Sequence, residues 1–295
     1  MTPAADRDDD TTADWPVAAI ACFLVLTVLF GAPFAVFASA AQHGPFAALI
    51  GPAFMWTPGL AALATCRLFG RPVAALPWRW PAWRYAWLGY AIPLAYMLAA
   101  YPILWATGLA PARFAAFDAS ARAALGLGPG AATLAAALLV ATIGVAQAAA
   151  SALGEEIGWR GVLVPALADR MSFAGVAFVS GVVWFAWHIP SIVFAGYSAG
   201  APLPFTLACF GIGTIAMGAI AAWLSLRSGS LWPAVLLHAS HNAWTELLFD
   251  RLTLVTPRSA RWATEFGIGL NATTIVALVL LCWWGGVPRT AADRR

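Results

Sequence analysis

A few ionisable side chains lie in otherwise apolar sequence, in three places: SALGEEIGWRGVLVP at 151–165, GVVWFAWHIP at 181–190 and LLHASHNAWTE at 236–246. These places carry Glu155, Glu156, Arg160, His188, His238, His241 and Glu246, with Asn242 as a polar companion. An ionisable group is costly in an apolar segment and usually has a function there. Carboxylate, imidazole and amide groups can move protons and stabilise a developing negative charge. The three places are therefore candidates for general acid–base chemistry.

The first place holds two adjacent acids before a single arginine. On a helix, Glu156 and Arg160 are four residues apart and share a face, so we expect them to pair. Glu155 then points about 100° away and is left for another task, which suits a general acid or base. The alternative is that both acids sit at a membrane surface and simply pair with Arg160.

The other two places carry the imidazoles. His188 lies one helical turn after Trp184, and the alternative to a functional role is a histidine satisfied in an aromatic belt at a membrane surface. His238 and Asn242 fall on one helical stripe with His241 at its edge. A polar contact between helices would explain Asn242 alone but explains the three together less well. We expect Glu246 to be interfacial rather than catalytic.

The composition decides what kind of elements position these groups. Hydrophobic residues make up 62% of the 295 residues and charged residues only 10%, against about 45–50% and 25% in soluble domains. This excludes an ordinary soluble enzyme, a nucleic-acid binder and a disordered chain. The four cysteines show no C-x-x-C spacing and are interpreted as small buried apolar residues.

Apolar runs of about 20 residues predict an all-α, polytopic membrane protein with about eight transmembrane helices. The predicted spans are 15–41, 46–66, 85–108, 131–154, 172–195, 204–226, 230–249 and 269–285. They form one membrane domain, 15–295, after an acidic tail, 1–14, that we expect to be disordered. Within residues 109–130 we expect a short helix that lies at the membrane surface.

Arginine counts predict the orientation. With the N-terminus inside, ten arginines lie on the inner side and five on the outer side, so we expect both termini in the cytoplasm and a multi-pass protein of the plasma membrane.

The spacing of the motifs also predicts that they meet. Glu155 lies 15 residues before Arg170 and His188 lies 18 residues after it. If Arg170 marks the turn of a helical hairpin, the two side chains lie about 22 and about 27 Å from the turn, at similar depth. Counting from Ala131 instead puts Glu155 near the inner surface, and residues 156–169 lying along the interface would reconcile the two counts.

The three motifs resemble those of the CPBP family of intramembrane proteases, the CAAX-protease and bacteriocin-processing or Abi family. The resemblance rests on E-E-x-x-x-R at 155–160, an aromatic-x-x-x-His at 184–188 and His-x-x-x-Asn at 238–242, and it covers about 130–250. Trp184 stands where the family has Phe, which keeps an aromatic wall.

The resemblance implies a function and a role for each motif residue. Glu155 would activate water together with His188, while His238 and Asn242 would polarise the scissile carbonyl and stabilise the oxyanion. Glu156 and Arg160 would support the first motif, with Trp184 and His241 as further supporting residues. The implied function is an intramembrane endopeptidase acting on a membrane-associated peptide or protein, with the lipid bilayer as its surroundings and no nucleic acid.

Two questions stay open in the sequence. Glu155, His188 and His238 would make a credible zinc site with one open position, and His241 could be a fourth ligand; we expect no obligatory metal, because Glu and His can activate water directly. The alternative to a protease is a non-proteolytic scaffold or bacteriocin-immunity protein of the same fold.

Overall fold

The computed structural model describes residues 14–41 and 47–294, without the side chains of 35–41 and 47–48. The predicted tail, up to residue 13, lies outside the described residues. The described residues are mostly helical, with one isolated β-bridge between Ala112 and Thr253 and no named strand. The twelve α-helices are α1 (Val17–Ala41), α2 (Ala47–Met55), α3 (Thr57–Leu68), α4 (Trp83–Ala106), α5 (Phe114–Leu125), α6 (Ala131–Leu139), α7 (Val145–Gly158), α8 (Val164–Ala168), α9 (Phe173–Phe194), α10 (Leu203–Ser228), α11 (Trp232–Trp244) and α12 (Ile268–Gly285).

Seven helical stretches of the described chain are long and apolar enough to cross a membrane. They are Val17–Phe34, Leu49–Leu68, Trp83–Ala106, Ala131–Ala168, Phe173–Phe194, Leu203–Ser228 and Ile268–Gly285. The all-α polytopic class is therefore confirmed. One of the eight predicted spans, 230–249, forms the short helix α11 and a π-helical turn, Thr245–Phe249, and is not among the seven.

The helix that carries the first motif is much longer than the predicted 131–154. Helices α6, α7 and α8 run on through two π-helical turns, Val140–Gly144 and Trp159–Leu163, as one stretch of 38 residues. At 1.5 Å per residue it is about 57 Å long. Its second half does not lie along the interface, because most residues from 156 to 168 are buried inside the protein.

Small residues let this helix approach its neighbour α3 closely. A Cβ atom added to Gly154 would lie 2.7 Å from Trp56, and one added to Gly158 would lie 2.7 Å from Pro58. Close backbone contact through small residues is a common way for helices to pack in membranes. The contact draws the segment that carries Glu155 and Glu156 into the protein interior.

The motif helices pack on one another in the same region. Helix α9 packs along α10, and α11 lies between α4 and α7. The predicted hairpin is confirmed, since the chain turns between α8 and α9 at 169–172. Glu155 and Glu156 are 1% and 0% exposed, so the alternative that both acids sit at a membrane surface does not hold.

Two smaller predictions hold in part. A short helix, α5, forms within 109–130 as predicted, carries an ion pair between Asp118 and Arg122 at 3.0 Å, and ends at Gly126 with φ +68°. The four cysteines are free thiols, but only Cys66 and Cys209 are buried, whereas Cys22 and Cys282 are partly exposed, so the interpretation as buried residues is right for two of them and wrong for the other two.

Candidate active site

A cavity of about 530 Å³ lies where the motif helices meet. Glu155, His188, His238 and Asn242, which the sequence predicts as catalytic, all line it, together with the supporting residues Trp184 and His241. The other two supporting residues, Glu156 and Arg160, lie behind this surface. The three motifs, separated by up to 87 residues of sequence, therefore share one cavity, as their spacing predicts.

Two indole groups orient the carboxylate of Glu155. Trp159 Nε1 donates to Glu155 Oε2 at 3.0 Å, and Trp184 Nε1 donates to the same oxygen at 2.6 Å. Trp159 is the first residue of the second π-helical turn, one helical turn after Glu155. The carboxylate is thus held by neutral donors, and its other oxygen, Oε1, has no hydrogen bond to a described residue.

Glu156 lies in a different environment from its neighbour. Its two oxygens each accept from Arg160 Nη1 at 3.0 Å, and Oε1 also accepts from His238 Nδ1 at 3.0 Å. Arg160 is 1% exposed and is further held by Gly218, whose carbonyl accepts from Nη2 at 3.3 Å. The predicted pair of Glu156 and Arg160 is confirmed, and it also fixes His238.

The two motif imidazoles have the same protonation pattern. His188 Nδ1 lies 3.0 Å from the backbone carbonyl oxygen of Trp184, and His238 Nδ1 lies 3.0 Å from the Glu156 carboxylate. Both partners are acceptors, so Nδ1 carries the proton in each ring. In the neutral state this leaves Nε2 of each ring as an acceptor.

Trp184 contacts three of the other motif residues. The sequence predicts only that it provides an aromatic wall. Its indole donates to Glu155, its ring lies 5.2 Å from the His238 ring, and the Arg160 guanidinium lies 4.7 Å over its face. The departure from the family's Phe is the signal that could have shown this, because phenylalanine has no group to donate. We call Glu155, Trp184, His188 and His238 the motif wall.

Further polar groups line the cavity, and two of them, Tyr197 and Glu265, are not predicted by the motifs. Glu265, from the loop before α12, accepts a hydrogen bond from the Tyr197 hydroxyl, and its Oε2 lies 3.7 Å from His241 Nε2. The Tyr96 hydroxyl lies 2.5 Å from His241 Nδ1. The Tyr197 ring stacks beside the His188 ring at 6.1 Å. We call Tyr197, His241 and Glu265 the loop wall.

The backbone at the loop wall is strained. Thr264, directly before Glu265, has φ +67° and is the only non-glycine residue with positive φ among those described. This conformation is unusual for a β-branched residue and costs of order 1–3 kcal/mol. Burial acts to raise the pKa of the Glu265 carboxyl, but the interaction with His241 and the hydrogen bond from Tyr197 hold it below its usual value. No sequence pattern marks this loop, so sequence reasoning missed Glu265 and Tyr197.

Glu246 also lies on the cavity surface, where the sequence analysis expects only an interfacial residue. Its side chain makes no hydrogen bond to a described residue.

The described residues do not supply a set of metal ligands. Within 14–41 and 47–294, no three His, Cys, Asp or Glu side chains are grouped so that they could hold a metal ion. The Nε2 atoms of His188 and His238 suit a metal, but Glu155 is held by two indoles and both nitrogens of His241 face other partners. The expectation that no metal is obligatory stays a prediction, and so does the alternative of a zinc site at Glu155, His188 and His238.

Comparison with known proteins connects this cavity to a family. Residues 131–244 match the family model described as Rce1-like, type II CAAX prenyl endopeptidase Rce1-like. The matched range falls within the 130–250 that the motifs delimit. The comparison with curated proteins gave no match. The family match agrees with the resemblance of the three motifs: residues 131–244 of this polytopic membrane protein are similar to the type II CAAX prenyl endopeptidases, a family of peptidases.

Proposed function

We propose that the protein hydrolyses a peptide bond of a membrane-associated substrate with water activated by Glu155 and His188. The observation that carries this proposal is the single cavity lined by a buried carboxylate, two imidazoles and an amide. Peptide hydrolysis needs a base for water, donors for the oxyanion and an acid for the leaving amine. These four side chains provide groups of each kind.

Glu155 is the base in this proposal. Its Oε2 is occupied by two indole donors, which leaves Oε1 to take a proton from water. His188 presents an acceptor nitrogen to the same cavity and orients that water. The hydroxide attacks the scissile carbonyl carbon, and the proton held by Glu155 passes to the amide nitrogen as the C–N bond breaks. The site returns to its starting protonation state after the products leave.

His238 and Asn242 are the oxyanion donors. They are one helical turn apart on α11 and both face the cavity. The amide of Asn242 is a donor in any protonation state. His238 donates from Nε2 only as an imidazolium, and the Glu156 carboxylate at its Nδ1 stabilises that form. Glu156 and Arg160 act as positioning residues through this contact, and Trp184 acts likewise on Glu155.

The substrate in this proposal is a membrane-associated peptide or protein. We also propose that the protein lies in the plasma membrane as a multi-pass protein with both termini in the cytoplasm. Aromatic side chains surround the catalytic groups in the cavity, among them Trp187 and Phe210. An apolar residue next to the scissile bond suits such a lining. We propose no obligatory metal.

The test is a cleavage assay in liposomes on candidate membrane peptides. Glu155→Gln keeps the size of the side chain and removes the base, so turnover should fall at least about 100-fold, with the thermal unfolding midpoint near that of the wild type. Glu246→Gln makes the same chemical change in the same cavity and should retain most of the activity. Wild-type turnover by Glu155→Gln would contradict the assigned base.

The second candidate is a scaffold or immunity protein that binds a membrane partner without cleaving it. The same assay separates the two, because a scaffold would release no product from any peptide, and binding would then be unchanged by Glu155→Gln. The protease is favoured because an apolar helix gains nothing from burying four polar groups around a cavity unless they act together.

A further inference from the structure

A second cavity, of about 610 Å³, lies away from the proposed catalytic groups and is strongly basic. Four arginines line it: Arg84, Arg227, Arg289 and Arg294. They come from the start of α4, the end of α10 and the segment that follows α12. The other lining residues are Tyr85, Leu226, Val287 and Pro288, so no carboxylate lines this cavity.

One acid acts on these groups: the Asp293 carboxylate interacts electrostatically with Arg289, while its Oδ2 accepts from the backbone N–H and the hydroxyl of Thr290. None of the four arginines takes part in the ion pairs found among the described residues. Four guanidinium groups beside one such acid leave the cavity with a net positive charge. Like charges that share a cavity repel one another, and a bound anion would relieve this repulsion.

Hydrogen bonds between separate segments hold the lining of this cavity in place. Arg227 Nη2 donates to the carbonyl of Gly285 at 2.6 Å, and Trp223 Nε1 donates to the carbonyl of Gly286 at 2.8 Å. The backbone N–H of Ala291 donates to the carbonyl of Ala168 on α8 at 3.1 Å. These contacts fix the segment after α12 against two other helices and hold its arginines beside Arg84 and Arg227.

The position of the cavity indicates the kind of anion. It lies where three membrane-spanning helices end on the same side, at Trp83, Ser228 and Gly285. Around these ends, exposed tryptophans form a group of the kind found at the headgroup level of a bilayer: Trp80, Trp83, Trp87, Trp283 and Trp284. A ligand of this cavity therefore meets it at the depth of lipid headgroups.

We propose that this cavity binds the phosphate of an anionic phospholipid headgroup. The guanidinium fork matches two phosphate oxygens at once, which favours phosphate over a simple halide. Basic pockets between transmembrane helices are known to take phospholipid headgroups. The site is independent of the catalytic cavity, so the proposal does not rest on the proposed function.

The test measures lipid binding to the purified full-length chain in detergent, by native mass spectrometry. The probes are phosphatidylglycerol, phosphatidylcholine as the lipid without net charge, and inorganic phosphate as the source outside the membrane. The pocket variant is Arg84→Gln with Arg294→Gln. The control variant is Arg258→Gln with Arg261→Gln, which makes the same change of charge at two exposed arginines in the loop before α12.

Wild-type protein should retain phosphatidylglycerol over phosphatidylcholine, and the pocket variant should bind it about 25-fold more weakly. The control variant should bind like the wild type. If the pocket variant is not recovered folded, Arg289→Gln with Arg294→Gln makes the same test in the segment after α12. Equal binding of phosphatidylglycerol by pocket variant and wild type would overturn the proposal. Binding of inorganic phosphate with no preference between the two lipids would overturn the assignment to a lipid.

Discussion

The motif wall and the loop wall of the catalytic cavity hold their carboxylates by different means. Glu155, in the motif wall, accepts only from the neutral indoles of Trp159 and Trp184. Glu265, in the loop wall, accepts from Tyr197 and faces His241, a group that can become a cation. Because both indoles donate to the same oxygen, the second oxygen of Glu155 is left without a hydrogen bond to a described residue. The loop-wall carboxylate is suited instead to fixing other side chains.

Glu156 gives a third arrangement, a carboxylate paired with a buried arginine. We expect Glu156→Gln to have the largest effect on stability, because it leaves the Arg160 guanidinium buried without a counter-charge, which costs about 3–5 kcal/mol. Turnover should also fall, since His238 loses the charge that stabilises its imidazolium. Chemical unfolding in detergent and the liposome assay measure the two effects.

Asp118→Asn is the matched control for this prediction. Its ion pair with Arg122 has the same i, i+4 spacing but is partly exposed, and such pairs contribute about 0–1 kcal/mol. If Glu156→Gln were no less stable than Asp118→Asn, the buried pair would not be holding the motif wall together.

Trp184→Phe tests whether the indole donors set the properties of the motif wall. A smaller aromatic ring remains, the N–H is lost, and Trp159 still holds Glu155, so we expect turnover to fall roughly 10-fold, less than the roughly 100-fold cost of misplacing a reacting group. Trp187→Phe is the control, because Trp187 Nε1 has no hydrogen-bond partner among the described residues. Equal losses in the two variants would show that ring size, rather than the donated hydrogen bond, matters.

Glu265→Leu tests whether the loop wall positions the motif wall. Leucine fills similar space but cannot accept from Tyr197, so the ring beside His188 loses its anchor and turnover should fall a few-fold, less than in Trp184→Phe. Glu265→Gln keeps an acceptor and should restore most of the loss. The ring signals of ¹³C-labelled histidine give an independent measurement, since the chain has only four histidines. An unchanged His188 signal in Glu265→Leu would show that the loop wall does not position the motif wall.

The smallest effect concerns pH. Burial is the main cause that raises the pKa of Asp250, after the π-helical turn, to about 7, with Glu265 and Glu246 adding to it and the Tyr101 hydrogen bond opposing it. Because this pKa lies above the value in the unfolded chain, the fold favours the protonated acid. Its contribution to stability is fully present below about pH 4 and is lost as the pH rises through about 7.

Asp250→Asn should remove the loss of stability at high pH, because asparagine does not ionise. It still accepts from the Tyr101 hydroxyl, which lies 2.6 Å from Asp250 Oδ1 in the native chain. The variant should therefore have a higher thermal unfolding midpoint than the wild type at pH 8, and the difference should shrink at pH 5. A difference that stays constant between these pH values would show that Asp250 does not titrate on unfolding.

Much of the fold and of the motif wall follows from the sequence alone. Apolar runs of about 20 residues place most of the spans to within a few residues, because a bilayer demands such runs, although the span from Ala131 is longer than predicted and 230–249 is not a candidate span. The i, i+4 spacing predicts the pair of Glu156 and Arg160, and the hairpin count predicts that Glu155 and His188 meet. These properties are local or nearly local, because the rise and period of a helix convert spacing in the sequence into relative positions of side chains.

Only the tertiary structure decided the rest. The sequence did not show that the helix from Ala131 continues past Glu155, because π-helical turns and glycine contacts with α3 carry no periodic signal. It did not place Glu265 and Tyr197 in the cavity of the motifs, because both lie in loops, and the loop of Glu265 has a strained backbone at Thr264. Residue types and helical spacing determine what chemistry is available. Several hydrogen-bond partners of each carboxylate come from distant segments of the sequence, and only close packing brings these segments together.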